Sequence, residues 1–274
     1  MAARRNSRPR SLGESRRVRY AAPALEKGLD VLELLATASD ALTPSEIATH
    51  LGRSVPEIFR MLVCLEERGY ISRIGPDDRY QLTLKLFEIV HQHRPLQRLI
   101  SQAWPLVQRV SSETGQSCHL AMLNSADVVV VAQADAPGNM GFSVRPGANI
   151  DLLNTASGHV ILAFQTDEVR SRALGAWRLR SGKPIPASLY RHLHQIRRRG
   201  YEDLASYQVH GIVNISYPVL NQHAEAIAAM TIPFLARIGD SIGPPQVKQA
   251  LRRASRALSL MVGGKKLELS AGTT

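Results

Sequence analysis

Several features are scarce or missing in this 274-residue sequence. Aromatic residues make up 5% of it, so an apolar core must be built mainly from Leu, Val, Ile and Ala. No apolar run approaches the roughly 18 residues that a membrane helix needs. No apolar run is longer than the one at 128–132, which has the length of a strand. No apolar stretch follows the basic N-terminus, so we predict neither a secretory signal nor a membrane partner.

Cysteine is also scarce, because the chain has two, Cys64 and Cys118. Two cysteines this far apart exclude a disulfide scaffold and a CxxC metal site. We interpret both as small buried hydrophobic residues. With no export signal, the predicted location is the cytoplasm, where both thiols would be reduced.

Positive charge, in contrast, is plentiful. The formal net charge is +11 and the pI is about 10.2, which favours polyanionic partners. Residues 1–20 hold seven arginines against one glutamate, so residues 1–22 are predicted to be a disordered basic arm. Such an arm either follows a phosphate backbone or remains a solvated tail. A second basic cluster at 170–200 is interpreted as a solvated helix face and loop.

Two helix-start signals stand close together in "LTPSEIATHLGRSVPEIFRML". In the first, Thr43 can cap a helix, a proline occupies the first helical position, and Glu46 can reach back to complete a capping box. Ser54 and Glu57 repeat this spacing. The signals predict one short helix and then a longer one that Gly69 ends.

The regions before and after these helices complete a recognisable unit. Leu25 and Leu29 belong to an apolar stripe that predicts a preceding amphipathic helix from Pro23. After the longer helix, "YISRI" and "RYQLT" flank "GPDD", which is the pattern of a hairpin. Three helices followed by a two-stranded ribbon predict a winged helix-turn-helix over residues 23–83.

The remainder of the chain has a different composition. Residues 84–114 predict a helical connector that is interrupted at Pro105. Hairpins and helices follow from Gly115 and predict an α+β domain over residues 115–264. Residues 265–274 are predicted to be a tail.

The longer helix of the winged unit has an exposed face that could read DNA. At 100° per residue, Arg60 lies about 200° from the apolar Ile58 and therefore faces outward. The exposed face of such a helix enters the major groove, while helix starts and hydroxyls hold phosphates. These considerations predict a set of DNA-contacting residues: Thr43, Ser45, Arg53, Ser54, Glu57, Arg60, Arg73 and Arg79.

The order and spacing of several segments resemble the IclR family of bacterial transcriptional regulators. In the first domain these are "ALEKGLDVLELLA", "LTPSEIATHLGRS", "RMLVCLEERGYISR" and "YQLTLKLFEI". In the second they are "TASGHVILAF", "RRRGYEDLASYQVHGIVNISYPVLN" and "AEAIAAMTI". The resemblance covers about residues 25–262. It implies a winged helix that dimerises on operator DNA and a GAF-like domain that binds a small effector, often an organic acid or aromatic catabolite.

The resemblance also implies a set of effector-binding residues and an oligomeric state. Dimers, or tetramers as pairs of dimers, are usual for the family. Small residues at a helix N-terminus expose N–H groups that favour a carboxylate, although small residues of this kind also suit a packed core. The positions that match the family pocket are Ala156, Ser157, Leu204, Asn214, Thr231 and Pro233.

Other classes of function find less support in the sequence. There is no P-loop, dinucleotide fingerprint or nucleophile elbow, and Cys118 and His119 point to opposite faces of a strand. His192 and His194 point apart on a helix and are interpreted as surface residues, so no catalytic site, metal or cofactor is predicted. An enzyme built on the second domain and a winged-helix protein-interaction module remain the alternatives to a regulator.

Overall fold

The computed structural model describes residues 22–239 and 241–264. The chain divides into two compact units between His93 and Arg94. Apart from Ala22, the predicted basic arm at 1–22 lies outside the described residues, as does the predicted tail at 265–274.

The N-terminal unit has the predicted winged helix-turn-helix order. Three helices precede an antiparallel hairpin, and a further helix follows it. The elements are α1 (Pro23–Thr37), α2 (Pro44–His50), α3 (Val55–Glu67), β1 (Ile71–Ile74), β2 (Arg79–Leu82) and α4 (Lys85–Gln92).

The core of this unit lies between its first three helices and the hairpin. Ile58 and Leu62 of α3 are fully buried, as their apolar spacing predicts. The stripe predicted for α1 is wrong, because Leu25 and Leu29 are 62% and 47% exposed. The helix buries the face centred on Val31 instead, which packs on α3. Tertiary packing therefore selects one of two apolar faces that α1 offers.

The hairpin forms the wing. β1 pairs with β2 in antiparallel register from Ile71↔Leu82 to Ile74↔Arg79. Leu42, just before α2, exchanges two backbone hydrogen bonds with Tyr80 of β2, at 2.8 and 3.0 Å. This bridge ties the wing to the start of the helix-turn-helix.

The second unit contains a six-stranded antiparallel sheet. Its spatial order is β5-β4-β3-β8-β7-β6. The two long central hairpins were predicted, whereas the short edge strands β5 and β6 were not. The strands are β3 (Cys118–Asn124), β4 (Asp127–Ala134), β5 (Asn149–Asp151), β6 (Glu202–Ala205), β7 (Ile212–Leu220) and β8 (Ala226–Leu235).

Helices cover both faces of this sheet and create two apolar layers. One face packs on α5 and α9, and the other packs on α6, with α7 and α8 outside it. This is the α+β, GAF-like arrangement that the resemblance implies. The helices are α5 (Arg94–Thr114), α6 (Ala156–Ala163), α7 (Asp167–Ser181), α8 (Leu189–Arg199) and α9 (Pro244–Met261).

The interval predicted as a connector, 84–114, divides into two different helices. α4 belongs to the first unit, and α5 belongs to the core of the second. The predicted interruption at Pro105 is wrong, because α5 continues through it. Proline cannot donate a backbone hydrogen bond, which costs the helix free energy. Burial of Ala103 and Val107 on the sheet side offsets this cost.

No helix in the described ranges has both the length and the apolar content that crossing a bilayer requires.

Candidate DNA interface and effector site

The start of α2 is fixed by the predicted capping box. The N–H of Thr43 donates to Glu46 Oε2 at 2.8 Å, and the N–H of Glu46 donates to Thr43 Oγ1 at 3.3 Å. These bonds, with the nearby charge of Arg79, lower the pKa of Glu46. Ser45 is exposed in the first turn, where its hydroxyl is accessible to a phosphate.

The start of α3 is held by Glu57. Its Oε2 accepts the N–H and the hydroxyl of Ser54, both at 2.8 Å, and its Oε1 lies 3.5 Å from Lys27 Nζ. Hydrogen bonds from Ser54, and the charge of Lys27, lower the pKa of Glu57 to about 2. Glu57 is therefore an anion at neutral pH whose oxygens are engaged locally, which suits a structural role better than a base contact.

Arg60 differs from the other predicted arginines. It is exposed on the face of α3 opposite Ile58, and it makes no hydrogen bond or ion pair with the described residues. Arg68, just beyond the helix, is likewise exposed and without such a partner there. Sequence reasoning did not select Arg68.

The remaining three predicted arginines are engaged within the protein. Arg53 pairs with Asp30 at 2.6 Å. Arg73 forms two hydrogen bonds to Glu66, at 2.7 and 3.1 Å, and lies over the ring of Tyr80. Arg79 donates to Ala41 O and to Glu46 Oε2, at 3.0 and 3.1 Å. These contacts hold the wing and helices together and neutralise much of the charge that the sequence suggested for DNA.

In the second unit, the start of α6 is pressed against the preceding loop. Thr155 caps the helix by accepting the N–H of Gly158 at 3.2 Å, and its hydroxyl donates to Asp151 O at 2.7 Å. A Cβ on Gly158 would lie 2.1 Å from Leu152 O. Only glycine leaves room for the backbone of Leu152 to come this close. The close contact fixes the position of the first turn of α6 on the sheet.

Two rows of residues on the sheet face α6, and they contain predicted effector residues together with additional ones. In one row Leu204 pairs with Asn214, which pairs with Pro233. Directly paired residues share a face of the sheet, as do residues two apart. The second row therefore lies on the same face, and its members are Glu202, Ser216, Thr231 and His119.

Hydroxyl groups join α6 to this second row. Ser157 Oγ lies 2.9 Å from Thr231 Oγ1, which donates to Ser216 Oγ at 2.8 Å. The structure thus brings the predicted effector residues together on one side of the sheet. Four of them are buried, whereas Leu204 and Asn214 are half-buried and lie where the site approaches the surface.

Sequence reasoning missed two residues of this site. Ser216 stands two positions after Asn214, a spacing that puts both on one face, and this signal could have identified it. His119 is buried, its Nε2 has no hydrogen-bond partner in the described chain, and burial lowers its pKa to about 4. It is therefore a neutral imidazole at neutral pH. Cys118 belongs to the opposite layer, where burial raises the pKa of its thiol, so the pair is not a nucleophile and base. The interpretation of Cys64 as buried was wrong, because it is exposed on α3.

A surface cleft of about 540 Å³ lies elsewhere, between the end of α6 and helices α7 and α8. Two of its lining residues, Arg170 and Arg197, donate to backbone carbonyls at the end of α6. No predicted effector residue lines it. Because the guanidinium groups in this cleft donate hydrogen bonds to the free carbonyl groups at the end of α6, we assign the cleft a structural role.

The interpretation of His192 as a surface histidine was wrong. His194 is exposed as expected, but His192 is half-buried and lies beside His159 and Glu202. The cluster draws on α6, α8 and β6, so the local spacing of histidines could not reveal it.

Comparison with known proteins decides the family. A family model described as "Bacterial transcriptional regulator IclR C-terminal" matches residues 93–260, more than half of the chain. A second model, "IclR helix-turn-helix domain", matches residues 24–75. The chain belongs to the IclR family.

Relatives of this IclR-family chain are named as regulators or repressors, not as enzymes. It is 28% identical over 223 residues to the HTH-type transcriptional regulator KdgR of Escherichia coli K12, covering 80% of this chain and 85% of the relative. It is 21% identical to the transcriptional repressor IclR of E. coli K12, covering 88% and 90% of the two chains. The chain is therefore a transcriptional regulator with a DNA-binding helix-turn-helix domain and an effector-binding domain.

Solved structures of IclR-family proteins share its fold. The IclR structure from Thermotoga maritima has a TM-score of 0.66 at 25% identity, covering 87% of this chain and 98% of that one. An IclR homologue from Microbacterium hydrocarbonoxydans, complexed with 4-hydroxybenzoate, has a TM-score of 0.72 at 22% identity, with coverage of 87% and 98%.

Proposed function

We propose that this regulator binds a pseudo-palindromic operator as a homodimer, or as a homotetramer made of two dimers. Binding of a small organic effector to the second unit would switch a catabolic operon on or off. The observation that carries the DNA part of the proposal is Arg60, an exposed cation without a partner in the described chain, on the outward face of α3.

The proposal of a dimer draws support from α4. This helix has no buried residue. It exposes Phe87, Ile89 and Val90 to between 42% and 59%, and Leu84 just before it is 73% exposed. So dense an apolar surface on one short helix is typical of a protein interface. A second copy of the chain would also supply the second recognition helix that a palindrome needs, about one DNA turn away.

The proposal of an organic acid as effector draws support from the start of α6. Ala156 and Ser157 stand in its first turn, where unsatisfied N–H groups favour an anion. Hydroxyls of Ser157 and Thr231 could bind a polar group, and Leu204 and Pro233 could line a ring or chain. The homologue crystallised with 4-hydroxybenzoate bound an aromatic carboxylate, and other relatives are named for the glycerol and acetate operons.

Replacing Arg60 by alanine tests the DNA-binding role. If the guanidinium reads a base edge, Arg60→Ala should lower the affinity for the operator by about 1–3 kcal/mol and lower the affinity for random duplex much less. Fluorescence anisotropy on operator and random duplexes, over a range of salt concentrations, measures both quantities. Wild-type binding should weaken steeply with salt, with a slope of about 0.9 per phosphate contacted.

Arg68→Ala is the matched control for this experiment. It removes the same charge from the C-terminal end of α3, away from the N-terminal residues of the helix that contact bases. Its effect should be similar on the two duplexes. Equal losses for Arg60→Ala on both duplexes would remove the base-reading role, and no salt-dependent binding to either would favour a protein-interaction module instead.

Replacing Asn214 by leucine tests the effector site. Asn214→Leu should remove the response to the effector and leave operator binding intact, since Asn214 lies at the half-buried end of the site. Thermal-shift screening of small carboxylates on the full chain, beginning with 4-hydroxybenzoate, measures the response. Asn149→Leu, the same change at an exposed position of β5, should keep it. An unchanged ligand shift in Asn214→Leu would place Asn214 outside the site.

A further inference from the structure

Three potential metal ligands converge behind the effector site. His159 Nδ1, His192 Nε2 and one carboxylate oxygen of Glu202 all lie within 4.8 Å of one another. They come from α6, α8 and β6 respectively. Because these elements pack together, the cluster is part of the fold and not a chance meeting of flexible surface side chains.

Two members of the cluster are buried, and the cluster contains polar atoms that lack partners. Glu202 is 1% exposed and His159 is 8% exposed. Neither Glu202 Oε2 nor His159 Nδ1 has a hydrogen-bond partner in the part of the chain that is described. Oε2 lies 3.6 Å from His159 Nδ1 and 2.5 Å from His192 Nε2, without hydrogen-bond geometry. Buried polar atoms left in this way cost free energy and need an explanation.

The contact of His159 Nε2 determines whether His159 Nδ1 has a lone pair available for a metal. Nε2 lies 2.9 Å from the carbonyl oxygen of Leu153, which can only accept. Nε2 therefore carries the hydrogen, and in the neutral ring the lone pair is on Nδ1. That lone pair points into the cluster toward a carboxylate oxygen. A histidine whose other N–H is held by a backbone carbonyl is the usual arrangement around a protein-bound metal.

Protein groups also hold one oxygen of Glu202 and leave the other facing the cluster. The first of these, Oε1, receives the guanidinium of Arg199 and the N–H of Asp203, the latter at 2.9 Å. One carboxylate oxygen is thus satisfied by protein groups, and the other is directed at two imidazoles.

We propose that His159, His192 and Glu202 form a binding site for a transition-metal dication, with Zn²⁺ the preferred ion. Two imidazole nitrogens and one carboxylate oxygen are a donor set that Zn²⁺ accepts, with a fourth position left for water. Bonds of about 2.0–2.2 Å would set the three ligand atoms roughly 3.3 Å from one another. Glu202 Oε2 and His192 Nε2, now 2.5 Å apart, would separate to admit the ion, and each ligand atom would move by about 1 Å or less. Because Glu202 pairs directly with Ser216 in the second row of the sheet, the ion would lie beside the effector site.

Metal titration of the full chain tests this site. Protein stripped with chelator and dialysed should bind one Zn²⁺ with a sub-micromolar Kd, measured by competition with a chromophoric chelator. Co²⁺ should give the visible absorption bands of a tetrahedral site, and excess Zn²⁺ should abolish them. His192→Ala and Glu202→Gln should each weaken Zn²⁺ binding by about 100-fold or more, since even second-shell changes cost 10–100-fold.

His194→Ala is the control, because His194 is exposed on the same helix and lies outside the cluster. It should bind Zn²⁺ as the wild type does. Equal binding by His192→Ala and wild type would overturn the proposal, as would the absence of the Co²⁺ bands in wild-type protein. The Co²⁺ spectrum needs no variant, so it decides the question even if Glu202→Gln fails to fold. None of these results depends on an effector or on DNA.

Discussion

Alanine at position 158 is expected to destabilise the second unit by about 3 kcal/mol, near the upper end of the usual range for overpacking a core. The added Cβ would lie 2.1 Å from the carbonyl oxygen of Leu152 and 2.8 Å from its carbonyl carbon. Both are backbone atoms, so no side chain can rotate away. Either α6 or the loop at 151–155 must move, and a movement of α6 would separate Ser157 from Thr231.

Calorimetry on the full chain measures this effect. A loss of this size should lower the Tm of the second unit by about 6–12 °C, given about 2–4 °C per kcal/mol for a unit of this length. The same variant should lose its thermal response to small carboxylates, because the first turn of α6 belongs to the proposed effector site.

Gly175→Ala provides the matched control. Gly175 lies inside α7, and a Cβ there would meet nothing within 4 Å. The change should raise stability slightly, since alanine favours a helix by up to about 1 kcal/mol over glycine. If Gly158→Ala and Gly175→Ala melted alike, the contact between α6 and the preceding loop would not constrain the fold.

Glutamates on α4 are expected to abolish both dimer formation and operator recognition. The double change Phe87→Glu and Val90→Glu places two charges on a helix whose apolar residues are all exposed in the single chain. Burying those charges between two copies would cost several kcal/mol. A monomer offers one recognition helix, so its affinity for a two-half-site operator should fall toward the non-specific level, about 1000-fold or more.

Sedimentation velocity and operator anisotropy measure the two consequences together. Leu179→Glu is the control, because Leu179 is 80% exposed on α7 of the other unit. That variant should keep both the oligomeric state and the affinity of the wild type. A double variant that remained dimeric and bound the operator normally would show that α4 is not the interface.

Much of the fold could be predicted because its signals are local. The capping box of Thr43 and Glu46 involves residues three apart, and the stripe of Ile58 and Leu62 lies within one helix. The predicted boundaries of the wing follow from its turn residues. Helix α7 was not predicted, because its residues are mostly polar and small and show no apolar period.

The roles of individual charged residues could not be predicted in the same way. Arg53, Arg73 and Arg79 were assigned to DNA because each is a cation near a helix start or wing. The sequence did not reveal their partners within the protein, since Arg53 pairs with a residue 23 positions away and Arg79 with one 33 positions away. Arg60 shows that exposure can be predicted from helix geometry when the buried face is clear.

The sequence by itself determined the winged helix-turn-helix, the α+β class of the second unit and the family, and it predicts positions for the effector residues along the chain. Only the tertiary structure decided which face of α1 is buried, which arginines remain available, and that His159, His192 and Glu202 meet. The physical reason is the range of the interactions. Caps, turns and apolar periods act over a few residues and leave a pattern in the sequence. Ion pairs and ligand clusters join distant segments, and packing alone brings these together.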